Sequence, residues 1–250
     1  MNSNVNNKLN TDQVGQTIPA ITFRTRHDGD WLDRSTEELF AGQRVVVFSL
    51  PGAFTPTCSS THVPRYNELA QCFADNGIDR IICVSVNDAF VMEAWQQDQQ
   101  ADNITFIPDG NGEFTQAMGM LVNKQDLGFG SRSWRYSMLV DDLVVEKMFV
   151  EPEKEGDPFE VSDAETMLEY VNPQAVKPAS VAIISRPGCP YCVNAKKLLK
   201  EKAIEYQEIV LGENTNSIAL KAISGNSTVP QIFFDGKNIG GFTELNEYLT

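Results

Sequence analysis

Short apolar runs alternate along the chain with stretches of helical length that mix apolar and polar residues. The richest early run, RVVVFSL at residues 44–50, is β-branched and ends at Pro51, which predicts a buried central strand. The same pattern predicts further strands at residues 18–24, 80–86, 104–107, 136–140 and 144–150, and helices at residues 58–76, 89–100 and 163–171. Strands that alternate with helices indicate a layered α/β fold around a central sheet.

The alternation continues after residue 180 in shorter elements. It predicts strands at residues 181–185, 205–210, 231–234 and 238–239, and helices at residues 189–202, 216–223 and 243–249. Asp235-Gly236 is typical of a hairpin turn between the last two strands. The order βαβαββα predicts a second α/β domain, a four-stranded sheet with helices on both faces.

Composition places the boundary between these two regions. A chain of 250 residues with 42% hydrophobic side chains is long enough for two domains. Residues 173–250 carry 8 basic and 7 acidic side chains, which leaves 12 basic and 27 acidic in residues 1–172. The shift falls at NPQAVKPAS, whose prolines stop a helix and stiffen the chain. The predicted organisation is a disordered tail at 1–15, a first domain at 16–171, a linker at 172–179 and a second domain at 180–250.

Charge and hydropathy exclude several classes of partner. The net charge of −14 argues against nucleic acid and anionic membranes, because both would repel the chain. No run approaches the roughly 18 apolar residues of a membrane span. The polar start MNSNVNNKLN lacks the apolar core of a secretory signal. We therefore expect a cytoplasmic protein with no nucleic-acid or membrane partner.

The motif Cys189-Pro190-Tyr191-Cys192 follows a predicted strand and opens a predicted helix. In that setting Cys-x-x-Cys is typical of a redox-active dithiol. Free N–H groups and the helix dipole would stabilise a thiolate at Cys189, and Cys192 lies one turn further on, within reach of a disulfide. Half of a zinc site is the alternative. The other cysteines lie more than 100 residues upstream, so we predict no metal.

A second motif, PGAFTPTC at residues 51–58, links a buried strand to a helix and puts Cys58 at the helix start. Thr55 stands one turn before Cys58, and arginines follow in SRSWRYSM at residues 131–138. A helix terminus, a hydroxyl and an arginine together would stabilise the thiolate that reacts with peroxides. A Cys58–His62 pair could instead suggest a hydrolase, but such enzymes place the histidine on another element. We expect His62 to pack or hydrogen-bond near the pocket.

Two further cysteines and one charged run have simpler interpretations. Cys72 follows Cys58 by about 21 Å along the predicted helix, so the two thiols are not expected to meet. Cys83 lies in the middle of a predicted strand and is expected to be buried packing. The run EPEKEGD at residues 151–157 predicts a solvated loop.

Residues 180–250 resemble the glutaredoxins over nearly their whole length, on RPGCPYC (186–192), TVP (228–230) and GGFTE (240–244). The resemblance implies a thioredoxin-like fold in which Pro230 is cis and faces Cys189. It also implies that the Val229 backbone pairs with the cysteine of glutathione and that Arg186 attracts its glycine carboxylate. Further glutathione contacts are implied for Tyr191, Thr228, Gly241, Phe242 and Thr243, the last three at a helix start that suits the γ-glutamyl carboxylate. Glutaredoxins often have Asp where Glu244 stands.

The string PGAFTPTCSSTHVPRY (51–66) resembles type-II, or type-five, peroxiredoxins, and RYSMLVDD (135–142) is similar to the segment that supplies their active-site arginine. The resemblance covers residues 18–171 and implies a second thioredoxin-like domain. Cys58 would be the peroxidatic nucleophile, Thr55 would hydrogen-bond the sulfur and the peroxide, and Pro51 would shield the sulfenate. Arg135, rather than Arg132, would stabilise charge. Plant members carry a cysteine at the spacing of Cys83 with a suggested resolving role, so that role stays open.

Together the two resemblances imply a peroxiredoxin–glutaredoxin hybrid, a glutathione-dependent peroxidase acting on hydrogen peroxide and alkyl hydroperoxides. Cys189 would reduce the glutathionylated Cys58, with glutathione as reducing co-substrate and no cofactor. Tethering would raise the local concentration of the reductant to roughly the mM range. The resemblance also implies a homodimer or homotetramer. Two other classes stay open: a glutaredoxin-type iron–sulfur binding protein, and a redox sensor that oxidises a partner protein.

Overall fold

The computed structural model describes residues 9–27 and 29–250, and its contacts divide the chain into two compact units, Met1–Val176 and Lys177–Thr250. The division falls within the predicted linker at 172–179. Among the described residues, no helix has the length and apolar character to cross a bilayer, and no group of three or more His, Cys, Asp or Glu side chains is placed to hold a metal ion.

The first unit contains nine strands and six α-helices in its described part. The strands are Thr22–His27 (β1), Asp30–Ser35 (β2), Arg44–Leu50 (β3), Arg80–Ser85 (β4), Thr105–Pro108 (β5), Leu121–Asn123 (β6), Ser131–Ser133 (β7), Tyr136–Asp141 (β8) and Val144–Val150 (β9). The helices are Thr36–Phe40 (α1), Val63–Glu68 (α2), Ala70–Asp75 (α3), Ala89–Asp98 (α4), Glu113–Ala117 (α5) and Ala164–Val171 (α6), with a π-helical turn at Cys58–His62 and a 3₁₀ turn at Gln125–Leu127.

A five-stranded mixed sheet in the order β5-β4-β3-β8-β9 forms the centre of this unit. Strands β3, β4 and β5 are parallel, whereas β8 and β9 run antiparallel to their neighbours. Val45 and Val47 of β3 pack in one hydrophobic cluster, and Val46, Phe48 and Leu50 pack in the other. Strand β3 is therefore buried on both faces, which explains its unbroken apolar run.

The structure corrects the sequence predictions near the start of the chain. The strand predicted at 18–24 begins at Thr22 and pairs with Asp30–Ser35 in a hairpin that the sequence analysis missed. The disordered tail predicted for residues 1–15 is wrong for residues 9–15, and residues 1–8 lie outside the described part. Leu9 is buried, and the Gln13 side-chain amide donates to the Met118 carbonyl at 3.0 Å. These contacts order a segment whose polar composition predicts a disordered tail.

The second unit follows the predicted order of elements closely. Its strands are Val181–Ser185 (β10), Gln207–Val210 (β11), Gln231–Phe234 (β12) and Lys237–Gly240 (β13), and its helices are Pro190–Glu201 (α7), Ser217–Ser224 (α8) and Phe242–Tyr248 (α9). The sheet order is β11-β10-β12-β13, with β10 and β11 parallel and the other pairs antiparallel. Both units are therefore mixed α/β folds built on a central sheet.

Candidate active sites

Cys58 follows the carboxyl end of β3, after a loop at residues 51–55, and its side chain is fully buried. The predicted helix at 58–76 begins with a π-helical turn, in which the Val63 N–H donates to the Cys58 carbonyl. A second break at Leu69 separates α2 from α3. π-helical turns are frequent at functional sites. Here the turn buries both Cys58 and His62.

Arg135 lies beside Cys58 although the two residues are 77 positions apart in the sequence. It is 1% exposed, and its guanidinium interacts electrostatically with Cys58. Burial lowers the pKa of the guanidinium, but Cys58 and Asp157 raise it by a larger amount. The net pKa is above its usual value, so Arg135 is a permanent cation. The Nε–H of Arg135 is buried without a hydrogen-bond partner in the described structure. The site therefore holds a fixed positive charge and a spare donor next to the thiol.

His62 contacts Arg135 rather than acting on Cys58. Its Nδ1 is 3.1 Å from Nη1 of Arg135, and its Nε2 is 3.2 Å from the Ser162 carbonyl oxygen. Burial and the charge of Arg135 lower the pKa of His62 to about 3, so the ring is neutral. A guanidinium only donates, so Nδ1 accepts and Nε2–H donates to Ser162. Both nitrogens are thus occupied, which argues against the hydrolase alternative.

The loop before Cys58 is held by polar contacts to its own backbone. The Thr55 hydroxyl donates to the Gly52 carbonyl at 2.8 Å, which leaves its oxygen as an acceptor. The Ala53 N–H donates to the Asn87 side-chain oxygen at 3.0 Å. Pro51 is half-buried at the start of this loop. Asn87 carries no local signal in the sequence, because only the tertiary fold brings it beside residues 52–53.

The prediction of a solvated loop at residues 151–157 is wrong at Glu151, and although Asp157 is exposed, it binds a buried side chain. Glu151 is 1% exposed, and its carboxylate accepts hydrogen bonds from the backbone N–H groups of Glu160, Val161 and Ser162 and from the Ser162 hydroxyl. Asp157 accepts from Nη2 of Arg135, with both carboxylate oxygens at 2.6 Å. The sequence does not distinguish these two acids from the charged residues at 153–155, which are exposed.

Cys83 occupies the middle of β4 and is fully buried, as the strand pattern predicts. Burial raises the pKa of its thiol, and the neighbouring Cys58 raises it further. Cys83 is therefore a protonated thiol packed in the same hydrophobic cluster as Cys58. Its resolving role stays a prediction.

The second candidate site lies at the start of α7, where Cys189 is the N-cap residue. The backbone N–H of Cys192 donates to the Cys189 sulfur at 3.2 Å, and the Cys192 thiol donates to the same sulfur at 2.6 Å. Burial, together with this thiol hydrogen bond, raises the pKa of Cys192 to about 11. The geometry therefore favours Cys189 as the nucleophile and keeps Cys192 protonated at neutral pH.

The Val229–Pro230 peptide bond is cis, and the Val229 carbonyl oxygen lies 3.7 Å from the Cys189 sulfur. The side chain of Gln231 holds this turn by hydrogen bonds, a role that the sequence did not indicate. It is buried, its side-chain N–H donates to the Thr228 carbonyl at 3.0 Å, and its oxygen accepts from Asn226 and Asn238. The available signal was a glutamine directly before the apolar residues 232–234.

The remaining predicted glutathione residues occupy exposed or half-buried positions, namely Arg186, Tyr191, Gly241, Phe242 and Thr243. One predicted contact has a competitor. The carboxylate of Glu244 accepts the Gly241 N–H at 2.8 Å, at the helix start where a substrate carboxylate is expected. An incoming γ-glutamyl carboxylate would meet this like charge and would compete with Glu244 for the Gly241 N–H.

Comparisons with known proteins place both units in known families. Residues 13–168 match the Redoxin family, and residues 181–239 match the Glutaredoxin family. The chain is 58% identical over 234 residues to the hybrid peroxiredoxin hyPrx5 of Haemophilus influenzae, covering 94% of this chain and 97% of that protein. It is 54% identical over 169 residues to peroxiredoxin sll1621 of Synechocystis, covering 62% of this chain and 89% of that protein.

A solved structure gives the same result for the first unit. Reduced Prx3 of Vibrio vulnificus, in complex with hydrogen peroxide, aligns with a TM-score of 0.60 at 44% sequence identity, covering 63% of this chain and 98% of that one. The two family matches assign thioredoxin-like folds to both units. The chain therefore belongs to the hybrid peroxiredoxins, peroxidases that join an N-terminal redoxin domain to a C-terminal glutaredoxin domain.

Proposed function

We propose that this protein is a glutathione-dependent peroxidase that reduces hydrogen peroxide and alkyl hydroperoxides through Cys58 and regenerates Cys58 through Cys189. The observation that carries the proposal is the buried pair of Cys58 and Arg135, whose Nε–H has no partner among the described residues. A donor and a fixed cation beside a thiol suit the polarised O–O bond and the leaving oxygen of a peroxide. The Vibrio vulnificus relative was solved with hydrogen peroxide, which supports the substrate class.

The oxidative half begins with attack of the Cys58 thiolate on one peroxide oxygen. The S–O bond forms as the O–O bond breaks, and the leaving oxygen takes a proton and departs as water or an alcohol. Cys58 is left as a sulfenic acid. Because the Thr55 hydroxyl donates its own proton to Gly52, its oxygen would accept a hydrogen bond from the peroxide O–H.

The reductive half consumes two molecules of glutathione. The first condenses with the sulfenic acid, which forms a mixed disulfide on Cys58 and releases water. The Cys189 thiolate then attacks the glutathione sulfur and frees Cys58 as a thiolate. A second glutathione attacks the mixed disulfide on Cys189 and leaves as oxidised glutathione.

This route uses Cys189 alone, and the raised pKa of Cys192 fits a reserve role for that thiol. A dithiol route would instead need Cys192 to attack the mixed disulfide on Cys189. We expect Cys192→Ser to keep glutathione-driven turnover. Complete loss of turnover in that variant would establish the dithiol route.

The test follows peroxide-dependent NADPH oxidation in the presence of glutathione and glutathione reductase. We expect wild-type protein to turn over, Cys58→Ser to be inactive, and Cys189→Ser to form the glutathionylated Cys58 without recycling it. Mass spectrometry of the Cys189→Ser protein after one peroxide addition identifies that adduct. Activity in Cys58→Ser would refute the proposal. The expected homodimer or homotetramer and the cytoplasmic location stay predictions.

A further inference from the structure

Besides its interaction with Cys58, the guanidinium of Arg135 donates to two side chains and lies beside one aromatic ring. Nη1 donates to the neutral ring of His62 at 3.1 Å, and Nη2 donates to both oxygens of Asp157 at 2.6 Å. The ring of Phe159 lies 5.4 Å from the guanidinium carbon and 4.9 Å from the centre of the His62 ring. Each terminal nitrogen has a partner, whereas Nε is the guanidinium nitrogen without one in the described structure.

The ion pair with Asp157 joins the buried guanidinium of Arg135 to a carboxylate that is accessible to water. The side chain of Arg135 is 1% exposed, whereas that of Asp157 is 41% exposed. An exposed carboxylate ordinarily gains little from an ion pair, because water solvates it well. Here the carboxylate faces a cation with almost no access to water, and the two oxygens share one nitrogen.

The loop that carries Asp157 is itself fixed at its base. Glu151 closes the loop by accepting the backbone N–H groups of Glu160, Val161 and Ser162. The carbonyl of Ser162 in turn accepts from His62. One loop therefore supplies the partner of Nη2 and orients the partner of Nη1. Its position decides where the guanidinium lies.

We propose that Asp157 is a positioning residue for peroxide reduction, which fixes Arg135 so that its Nε–H stays directed to the reacting atoms at Cys58. This inference rests on the proposed function of Cys58. A negative charge near Arg135 offsets part of the field that favours the Cys58 thiolate. Asp157 therefore works against thiolate formation, and its contribution lies in geometry, because loss of alignment alone costs catalysis.

The test measures the first oxidation of reduced Cys58 by hydrogen peroxide in the full-length protein, by rapid mixing without glutathione. The signal is tryptophan fluorescence, since Trp95 donates to the hydroxyl of Ser59, the residue next to Cys58. The rate is recorded across pH, which separates the plateau rate from the midpoint of its rise. The variants are Asp157→Asn, Asp157→Glu and the control Glu155→Gln, an equal change of charge at an exposed site in the same loop.

We expect Asp157→Asn to lower the plateau rate roughly ten- to hundredfold with a midpoint that is unchanged or lower. Asp157→Glu, which keeps the carboxylate, should recover part of the rate, and Glu155→Gln should match wild type. A plateau rate within twofold of wild type in Asp157→Asn would overturn the proposal. A lower rate together with a higher pH midpoint would also overturn it. That result would mean that Asp157 stabilises the Cys58 thiolate rather than positions Arg135. An equal fluorescence change in Cys58→Ser would instead refute the function of Cys58.

Discussion

The neutral ring of His62 accepts a hydrogen bond from the buried guanidinium of Arg135, with 3.1 Å between Nδ1 and Nη1. Burial and the adjacent positive charge lower the pKa of His62 to about 3. Protonating the ring would remove its acceptor and place two cations side by side. The arrangement therefore fixes a charge state for each partner, and this has a consequence for acid stability.

We expect His62 to make the first unit less stable in mild acid. The folded-state pKa lies below the unfolded value of 6.5, so the unfolded chain binds the proton more readily. The contribution of His62 is complete above pH 6.5 and is lost as pH falls toward 3, at about 1.4 kcal/mol per pH unit. Urea unfolding between pH 7 and 4.5, followed by tryptophan fluorescence, measures it.

The fluorescence reports on the first unit, because all three tryptophans, Trp31, Trp95 and Trp134, belong to it. The comparison is His62→Gln, which removes the titration. Wild type should lose stability more steeply than this variant over the same range. Equal slopes in the two proteins would show that His62 does not stay neutral in the folded state.

Arg135 and Arg132 should differ sharply when they are replaced. Arg135 is buried against Cys58, whereas Arg132 is half-exposed on β7, with its side chain near Gly52. We expect Arg135→Gln to slow the first oxidation of Cys58 roughly 10²- to 10³-fold, because it removes both charge and donor. Arg132→Gln should cost less than about tenfold. Stopped-flow fluorescence with hydrogen peroxide measures both, and the reverse order would show that Arg132 supplies the charge at Cys58.

Glu151→Gln should lower both stability and the oxidation rate. The variant leaves an amide N–H₂ facing backbone N–H donors, and it loses a charge-assisted set of hydrogen bonds at a buried position. We expect the free energy of unfolding to fall by about 2–4 kcal/mol. Peroxide oxidation should slow as well, because the loop carries Asp157. Urea unfolding and stopped-flow fluorescence measure the two effects.

The matched control for that experiment is Glu153→Gln, which changes an exposed acid in the same loop. It should leave stability and rate close to wild type. A similar loss in both variants would mean that the net charge of the loop matters, rather than the buried hydrogen bonds of Glu151.

Glu244→Gln should strengthen the use of glutathione by the second unit. Its carboxylate accepts the Gly241 N–H at the helix start where the γ-glutamyl carboxylate is predicted to bind. The glutamine keeps a hydrogen-bond acceptor but removes the like charge, so the KM for glutathione should fall several-fold. Steady-state turnover at varied glutathione tests this. Glu247→Gln, an exposed acid on the same helix, is the control, and a KM that rises in Glu244→Gln would contradict the prediction.

The sequence by itself determined the strands of the two central sheets and the two cysteine motifs, because those signals are local. The unbroken apolar run of β3 reflects burial on both faces, and the strand at residues 144–150 has the bounds that its pattern predicted. Cys189 and Cys58 each follow a strand and open a helix, as their neighbouring residues indicated. Short edge elements such as Leu121–Asn123 gave no comparable signal, because three residues carry too little periodicity.

Only the tertiary structure decided which residues surround Cys58. Asp157 and Glu151 belong to one charged run, and nothing in its composition separates the carboxylate that binds Arg135 from the exposed acids around it. Residues 9–15 likewise look like a polar tail until Leu9 and Gln13 find their partners across the fold. Such contacts join residues about 20 to more than 100 positions apart, so their free energy exists only once the sheet has brought the segments together.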